Sequence, residues 1–202
     1  MVERWTKERR REHTRGLLRK SAEEVFARKG FEVAALEDIA EAAGFSRGTI
    51  YSHFGNKAEL FLAVIDEQRQ QFLDGFADVI ASFEQLDDLD VDELAARWGA
   101  LIEAGGANRA ALGYEFTLYL LRNPDARERV ATQREETARS LAEYISEGAA
   151  RLGGGLSTPA LDLARVILAA NDGVTLNSLV DGAAVYRPFL QMVVSHIVAA
   201  PQ

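Results

Sequence analysis

The sequence predicts an all-α protein of about nine helices. Apolar residues recur at helical intervals of three and four along most of its 202 residues, and 48% of those residues are hydrophobic. Only 4 prolines interrupt this pattern, and no segment shows a convincing strand-like alternation of apolar and polar residues. A chain of this length is able to bury a core in one large domain or two small ones.

The first helix is predicted at about residues 14–29. Its apolar residues share one helical face, and Gly30 follows as the residue that ends the helix. The residues of that face are Leu18, Ala22, Val25 and Phe26.

Residues 36–54 are predicted to form two short helices joined by a tight turn. Gly44 is able to leave the first helix with a positive φ, and Ser46 is placed to cap the second by accepting from backbone N–H groups. The residues predicted to point inward are Leu36, Ile39, Ala40 and Ala43 in the first helix, and Phe45, Ile50 and Phe54 in the second.

The second helix of this pair turns a polar set of side chains toward solvent. A helix that serves only a core does not need so many exposed hydrogen-bonding groups, whereas a helix that enters the major groove of DNA does. The outward residues are Arg47, Thr49, Tyr51, Ser52 and His53.

The charge distribution favours the same interpretation. The formal net charge is −8, but residues 1–20 contain eight basic and three acidic residues, and residues 61–202 carry a net charge of −10. A basic end on an acidic body is typical of a nucleic-acid-binding domain joined to a second domain. The alternative is an ordinary solvated terminus.

A long helix is predicted at residues 57–83, with an apolar face of more than six turns that is able to connect two domains rigidly. We therefore predict a DNA-binding domain at residues 1–56 with a basic N-terminal arm, and a helical domain at residues 57–202. Five further helices are predicted at about 91–104, 108–122, 124–152, 159–181 and 186–199. The acidic segment 87–93 has partial calcium-loop spacing, but a helix-capping linker fits it better.

Several classes of protein are disfavoured. The chain has no cysteine, no apolar run as long as a membrane span, and no apolar signal-peptide core, so a cytoplasmic location is expected without membrane contact. No cofactor, metal site or catalytic group is predicted. An all-helical enzyme would depend on Glu103, Glu115 and Asp172, but no nucleophile–base pair or metal-spaced histidines accompany these carboxylates.

Residues 15–62 resemble the DNA-binding domain of TetR/AcrR-like transcriptional regulators. The resemblance rests on the segments AEEVFARKGFE, EDIAEAAGFSRGTIYSHF and GNKAELF, which match without a gap. It implies a homodimer that binds a (pseudo)palindromic DNA operator, most simply as a repressor. It also implies a C-terminal domain that releases the operator on binding a small molecule. Activation instead of repression stays open.

The resemblance also assigns roles to individual residues. Arg47, Gly48 and Thr49 stand where the family approaches base edges, with Ser52 as a possible addition and Ser46 as the cap within the same interface. Arg47 is the candidate for a bidentate contact to guanine. The positions that contact phosphates are Tyr51, His53 and Lys57.

One position departs from the family pattern. Ala35 stands where the family usually has a serine or threonine that caps the second helix, so that cap and one phosphate contact are lost. We expect the arginine-rich arm from Arg4 to Arg15 to compensate by lying along the minor groove.

The body of the protein holds candidate effector contacts, although aromatic residues at helical spacing are more often plain core. The effector is expected to be a largely apolar small molecule. The candidates are Trp98, Glu115, Phe116, Tyr119, Asn171 and Thr175. By resemblance, the helices at about 159–181 and 186–199 pair with those of a second subunit. A DNA-binding architectural protein without a ligand is the alternative.

Overall fold

The computed structural model describes residues 6–82, 90–180 and 185–199. The described residues form eight helices and two short strands in the order α1 (Lys7–Lys29), α2 (Leu36–Ala43), α3 (Arg47–Phe54), α4 (Lys57–Ala81), α5 (Val91–Arg122), α6 (Pro124–Arg151), β1 (Gly154–Leu156), α7 (Ala160–Val180), α8 (Tyr186–Val194) and β2 (Ile197–Ala199). The backbone of α5 is interrupted at Gly106, where φ is 67° and ψ is 177°. The predicted all-α class is confirmed, with α5 corresponding to the two helices expected at about 91–104 and 108–122.

The chain divides into two compact units. The first contains the residues up to Gln70 together with Ala111–Leu118 of α5, and the second contains Gln71–Ala110 and the residues from Tyr119 onward. The boundary expected from the sequence, after residue 56, assigns all of α4 to the second domain. The compact units instead divide α4 after Gln70.

A cluster of phenylalanine rings forms the centre of the first unit. The ring centroids of Phe31 and Phe61 are 4.4 Å apart, and Phe26 packs against Phe61 edge-on at 5.3 Å. Phe116, from the α5 segment, approaches Phe61 at 6.1 Å. Such offset and edge-on pairs add to the stabilisation from burial alone. This cluster packs α1 against α4. The α2 helix packs against α1, and α3 packs against α2.

The second unit has its own core around Trp98. This side chain is 1% exposed, and its ring packs edge-on against Phe72 at 5.6 Å and Phe189 at 5.9 Å. Leucine and isoleucine residues of α6 and α7 complete the core, including Leu141, Leu163 and Ile167.

The basic segment before the first predicted helix is itself helical, so α1 begins about two turns earlier than the sequence predicted. The α1 helix begins at Lys7, and the Thr6 hydroxyl caps it by accepting from the Arg9 N–H at 3.2 Å. Sequence periodicity placed the start near Thr14 because the first two turns expose all their side chains and so carry no apolar signal. The described basic residues from Lys7 to Arg15 therefore lie on a rigid helix. Arg4 lies outside the described residues.

The end of the chain also differs from the prediction. The last helix was expected to reach residue 199 but ends at Val194, and β2 pairs antiparallel with β1, with Leu156 opposite Ile197. The β-branched residues after His196 favour this extended pairing. It bonds their backbone groups to residues 154–156, which lie between the helices predicted at about 124–152 and 159–181. In the described parts of the chain, no helix is long and apolar enough to cross a membrane.

Candidate nucleic-acid interface

The turn between α2 and α3 forms as the sequence predicts. Gly44 lies in the left-handed region with φ 71° and ψ 27°, and the Phe45 N–H donates to the Ala40 carbonyl at 2.9 Å. Ser46 caps α3 by accepting from the Thr49 N–H at 3.2 Å. These contacts satisfy backbone groups that the two helix ends leave open.

Two apolar residues anchor α3. Ile50 is fully buried and Phe54 is 8% exposed, whereas Phe45 is only half-buried. The opposite face carries the predicted interface: Ser46, Arg47, Gly48, Tyr51 and Ser52 are exposed, and Thr49 and His53 are half-buried. The structure therefore places all seven of these residues on or beside one helix.

Arg47 is held by two neighbours, Glu37 and Tyr51, and we call these three residues the Arg47 clamp. Its Nη1 donates to Glu37 Oε1 at 2.5 Å, and its Nη2 donates to the Tyr51 hydroxyl at 2.7 Å. The guanidinium also lies 5.2 Å from the centroid of the Tyr51 ring. Because the Tyr51 oxygen accepts from Arg47, its own O–H is left to donate outward, as a phosphate contact requires.

The hydroxyl groups of α3 bond mainly within the helix. Ser46 Oγ and Thr49 Oγ1 are 3.0 Å apart, and Ser52 Oγ donates to the Thr49 carbonyl at 2.8 Å. Each hydroxyl oxygen keeps acceptor capacity toward a DNA base or backbone.

The fold does not require a glycine at position 48. A Cβ added there would meet only Ser46 Oγ, at an ordinary contact distance of 3.6 Å. The close approach to DNA expected for Gly48 stays a prediction, and no contact within the described ranges explains the missing side chain.

His53 is turned toward α1. Its Nδ1 is buried and has no hydrogen-bond partner among the described residues, and its carbonyl accepts from Arg15 Nη1. Burial lowers the pKa of His53 below the ordinary value of 6.5, and Arg11 and Arg15 lower it further. The imidazole is therefore neutral at pH 7, so any phosphate contact it makes is a hydrogen bond without an ion pair.

Lys57 contacts the protein rather than solvent. Its Nζ donates to the carbonyl oxygens of Phe31 at 2.8 Å, Glu32 at 3.1 Å and Ala34 at 3.0 Å, and lies 4.8 Å from the Phe31 ring centroid. An ammonium has three donors, and all three are used here. In this structure Lys57 stabilises the turn between α1 and α2. The phosphate contact suggested by the sequence stays a prediction.

Replacing Lys57 by methionine is expected to destabilise the first unit by about 1.5–3 kcal/mol, the usual range for losing hydrogen bonds to a charged group. Methionine keeps most of the apolar stem but leaves three carbonyl groups without their donor. Denaturant unfolding followed by circular dichroism measures the effect. Lys20→Met, on an exposed lysine of α1, is the matched control. Unchanged stability with weakened DNA binding would instead assign Lys57 to phosphate contact.

The missing cap at Ala35 is partly replaced from within α2. Asp38 Oδ2 accepts from the Ala35 N–H at 3.2 Å, and the Lys29 ammonium lies 2.8 Å from the same oxygen. The hydrogen bond from Lys29, followed by that from Ala35, lowers the pKa of Asp38 below its ordinary value of 3.8. The carboxylate thus supplies half of a capping box although the serine or threonine is absent.

The Asp38→Asn variant is expected to be less stable than the parent protein at pH 7. Because the pKa of Asp38 is lowered on folding, its stabilising contribution is complete above pH 3.8 and is lost as the pH falls through the pKa of the folded state. The difference in denaturation midpoint between the two proteins should therefore shrink on acidification. A difference independent of pH would show that the carboxylate charge is not what stabilises this helix end. Glu41→Gln, on the same helix, controls for general charge effects.

The predicted effector residues lie in both units. Glu115 accepts from the Phe31 N–H at 2.5 Å, and Phe116 belongs to the phenylalanine cluster, so both serve the packing of the first unit. The others fall in the second unit, where Trp98 Nε1 donates to Asn171 Oδ1 at 3.2 Å. Thr175 lies one turn beyond Asn171, and its Oγ1 is buried without a hydrogen-bond partner in the described residues. Tyr119 is half-buried.

No group of three or more histidine or acidic residues within the described ranges is arranged to hold a metal ion. Asp90, from the segment with partial calcium-loop spacing, caps α5 by accepting from the Asp92 N–H at 2.8 Å. The capping interpretation of Asp90 is confirmed, while residues 87–89 lie outside the described part of the chain.

Comparison with known proteins agrees with this geometry. Residues 18–64 match the family model described as bacterial regulatory proteins, tetR family. The chain is TetR-like. It is 44% identical over 84 residues to the probable HTH-type transcriptional regulator ArpR of Pseudomonas putida, an alignment that covers 42% of this chain and 39% of ArpR. The chain spans between 29% and 39% of the length of three such curated relatives.

The similarity of fold extends over nearly the whole TetR-like chain. Salmonella enterica GusR has a TM-score of 0.68 and 25% identity, covering 91% of this chain and 94% of its own. A transcriptional regulator from Saccharomonospora viridis, solved in complex with choline, has a TM-score of 0.64 and 21% identity, covering 94% of this chain and all of its own. The curated relatives that the chain matches are named as transcriptional regulators or activators.

The sequence missed two residues of the interface, Glu37 and Asp38. Each acts through a partner on another element or across a turn, namely Arg47 and Lys29. Arg15 was expected as part of the basic arm, but its bond to the His53 carbonyl was not. The only sequence signal for Glu37 is its charge opposite to that of Arg47, ten residues later, and that signal has meaning only once the helix pair is folded.

Proposed function

We propose that this protein is a transcriptional regulator that inserts α3 into the major groove of double-stranded DNA. The observation that carries the proposal is the outer face of α3, where Arg47, Thr49, Tyr51 and Ser52 turn hydrogen-bonding groups outward from two apolar anchors. The match of residues 18–64 to the tetR family supports it. Arg47 is assigned to base readout and Tyr51 to a phosphate.

The exposed face of α1 extends this interface. Arg9, Arg10 and Arg11 are exposed on α1. Arg15 of the same helix donates to the His53 carbonyl near the end of α3. Charges fixed on a helix neutralise phosphates without the loss of conformational entropy that ordering a flexible arm requires. We therefore assign these arginines to the DNA backbone rather than to the minor groove.

The proposed active form is a homodimer, with α7 and α8 forming the interface. Exposed small and apolar residues recur along α7 at intervals of three and four, which is the spacing of a helix that packs against another helix. They are Val166, Ala169, Gly173, Leu176 and Val180. Met192 of α8 is also exposed, at 54%. An uncovered apolar face of this kind favours association with a second copy of the chain.

The proposed response is to a small, largely apolar effector bound in the second unit. The support is the Thr175 hydroxyl, which is buried and has no hydrogen-bond partner among the described residues, one helical turn from Asn171 beside Trp98. Buried polar groups normally have partners. An effector that binds more tightly to a dimer whose α3 helices are wrongly spaced shifts the population away from the DNA-competent state. The shift is limited by the difference between the effector's affinities for the two states. We assign α4, which runs through both units, as the connector. The alternative is an architectural DNA-binding protein with no ligand.

Selection of bound duplexes from random-sequence DNA at defined salt tests the proposal. A homodimer should enrich a palindrome with half-sites spaced about 34–36 Å, one helical turn of DNA or a multiple of it. No enrichment, or enrichment of an asymmetric single site, would overturn the dimeric operator model. Repeating the binding measurement with a small-molecule library identifies the effector, and the operator position relative to its promoter separates repression from activation.

A further inference from the structure

We propose that Glu37 is a specificity-determining residue that keeps Arg47 away from the DNA backbone and available to bases. The inference rests on the proposed function, because it concerns how α3 discriminates between DNA sequences. Glu37 lies in the first turn of α2, outside the helix that carries the base contacts, and the resemblance to the TetR/AcrR-like family assigns it no role.

The geometry of the Arg47 clamp carries this proposal. Glu37 Oε1 lies 2.5 Å from Nη1 of Arg47, and the Tyr51 hydroxyl lies 2.7 Å from Nη2. The side chains of Arg47 and Glu37 are 54% and 60% exposed, so the pair stands on the surface that faces DNA. A guanidinium has five N–H donors, and the clamp uses two of them. The three that remain are enough for a bidentate contact to guanine O6 and N7.

The clamp has different consequences on cognate and non-cognate DNA. On a guanine at the correct position, Arg47 makes its base contact while the clamp fixes its long side chain, which reduces the loss of rotamer freedom on binding. On other sequences, a free arginine would turn to a phosphate. In this protein, Arg47 has to leave Glu37 before it can reach a phosphate. The Glu37 carboxylate is then left unpaired beside the phosphates. Glu37 therefore removes one phosphate contact from non-specific binding.

The decisive variant is Glu37→Gln, which keeps the length and the acceptor oxygen of the side chain but removes its charge. Dissociation constants are measured between 50 and 200 mM salt on two DNAs: the duplex recovered most strongly by selection, and the same duplex with scrambled half-sites. Each phosphate neutralised contributes about 0.9 to the slope of log K against log salt. On scrambled DNA the slope of the variant should steepen by about 0.9 for each bound subunit.

Affinity for the scrambled DNA should increase in the variant, while affinity for the selected duplex should not increase to the same extent. The ratio of the two affinities should therefore fall about three- to tenfold at 100 mM salt. Glu41→Gln is the matched control, because Glu41 is an exposed carboxylate on the same helix. This control should change both affinities alike and leave the ratio unaltered.

Three results would overturn the proposal. The first is an unchanged ratio and salt slope in Glu37→Gln, and the second is an equal fall of the ratio in Glu41→Gln, which would indicate a long-range effect of charge alone. The third is a parent protein that does not prefer the selected duplex, which would overturn the proposed function itself and this inference with it. The parent measurement thus separates the two failures, and equal thermal unfolding of all three proteins excludes a folding defect.

Discussion

Replacing Leu176 by aspartate is expected to convert the protein to a monomer and to weaken operator binding by a factor of about 100 or more. Leu176 lies in the exposed stripe of α7 and is 42% exposed in the single chain. A charge there costs little in the isolated chain but would be buried without a partner in a dimer interface. Because the two α3 helices then bind independently, the affinity gained from binding both half-sites together is lost.

Leu121→Asp is the matched control for this prediction. Leu121 is an exposed leucine of α5, outside the stripe, and is 66% exposed. Sedimentation or light scattering should give a monomer for Leu176→Asp and a dimer for the control and the parent. Binding to a single half-site should be equal in all three. A dimeric Leu176→Asp protein would show that another surface joins the subunits.

Replacing Arg47 by alanine is expected to remove most of the sequence preference. The loss of a bidentate contact to guanine is worth roughly 1–3 kcal/mol at each half-site, and a dimer loses two. Arg47 is 54% exposed and supports no core contact, so the fold should be unaffected. Affinity for the selected duplex should fall by a large factor. Affinity for scrambled DNA should fall less, because the only loss there is that the Glu37 carboxylate no longer has Arg47 as its partner.

Arg47→Lys separates charge from geometry. Lysine keeps the positive charge but lacks the planar fork, so it should retain non-specific affinity and still lose discrimination. The test measures the affinities of the parent, Arg47→Ala and Arg47→Lys proteins for four duplexes, which differ only in the base at the contacted position. Full discrimination in the lysine or alanine variant would mean that Thr49 or Ser52 reads the sequence instead.

The helix pair α2 and α3 was predictable to the residue because its signals are local. Gly44 ends one helix and Ser46 caps the next, and both act on backbone groups within a few positions. Ile50 and Phe54 follow from helical spacing. The same locality applies to the predicted helices at about 108–122 and 124–152, because Pro124 suits the first position of a helix and α6 begins there.

Contacts between residues that are distant in the chain could not be predicted from sequence patterns. Lys57 has the residue type and position of a phosphate contact, and only the folded turn between α1 and α2 places three carbonyl oxygens within its reach. The pairing of β1 with β2 joins segments about forty residues apart, and neither segment by itself identifies its partner.

The effector residues were hard to choose for a different physical reason. Aromatic and amide side chains on helical faces look alike in sequence whether they fill a core or line a site. In the structure, the Phe116 ring packs against Phe61 and the Trp98 N–H donates to Asn171. The buried Thr175 hydroxyl has no hydrogen-bond partner among the described residues. Burial together with hydrogen-bond satisfaction separates these cases, and neither quantity can be read from spacing.

The separation of the two faces of α3 has a consequence for how such proteins diversify. Ile50 and Phe54 anchor the helix, whereas on its outer side Arg47 and Ser52 are exposed and Thr49 is half-buried. After a gene duplication, substitutions on the outer side can give the two copies different target sites without weakening either protein. Divergence among descendants should therefore concentrate at these outer positions and spare the two anchors.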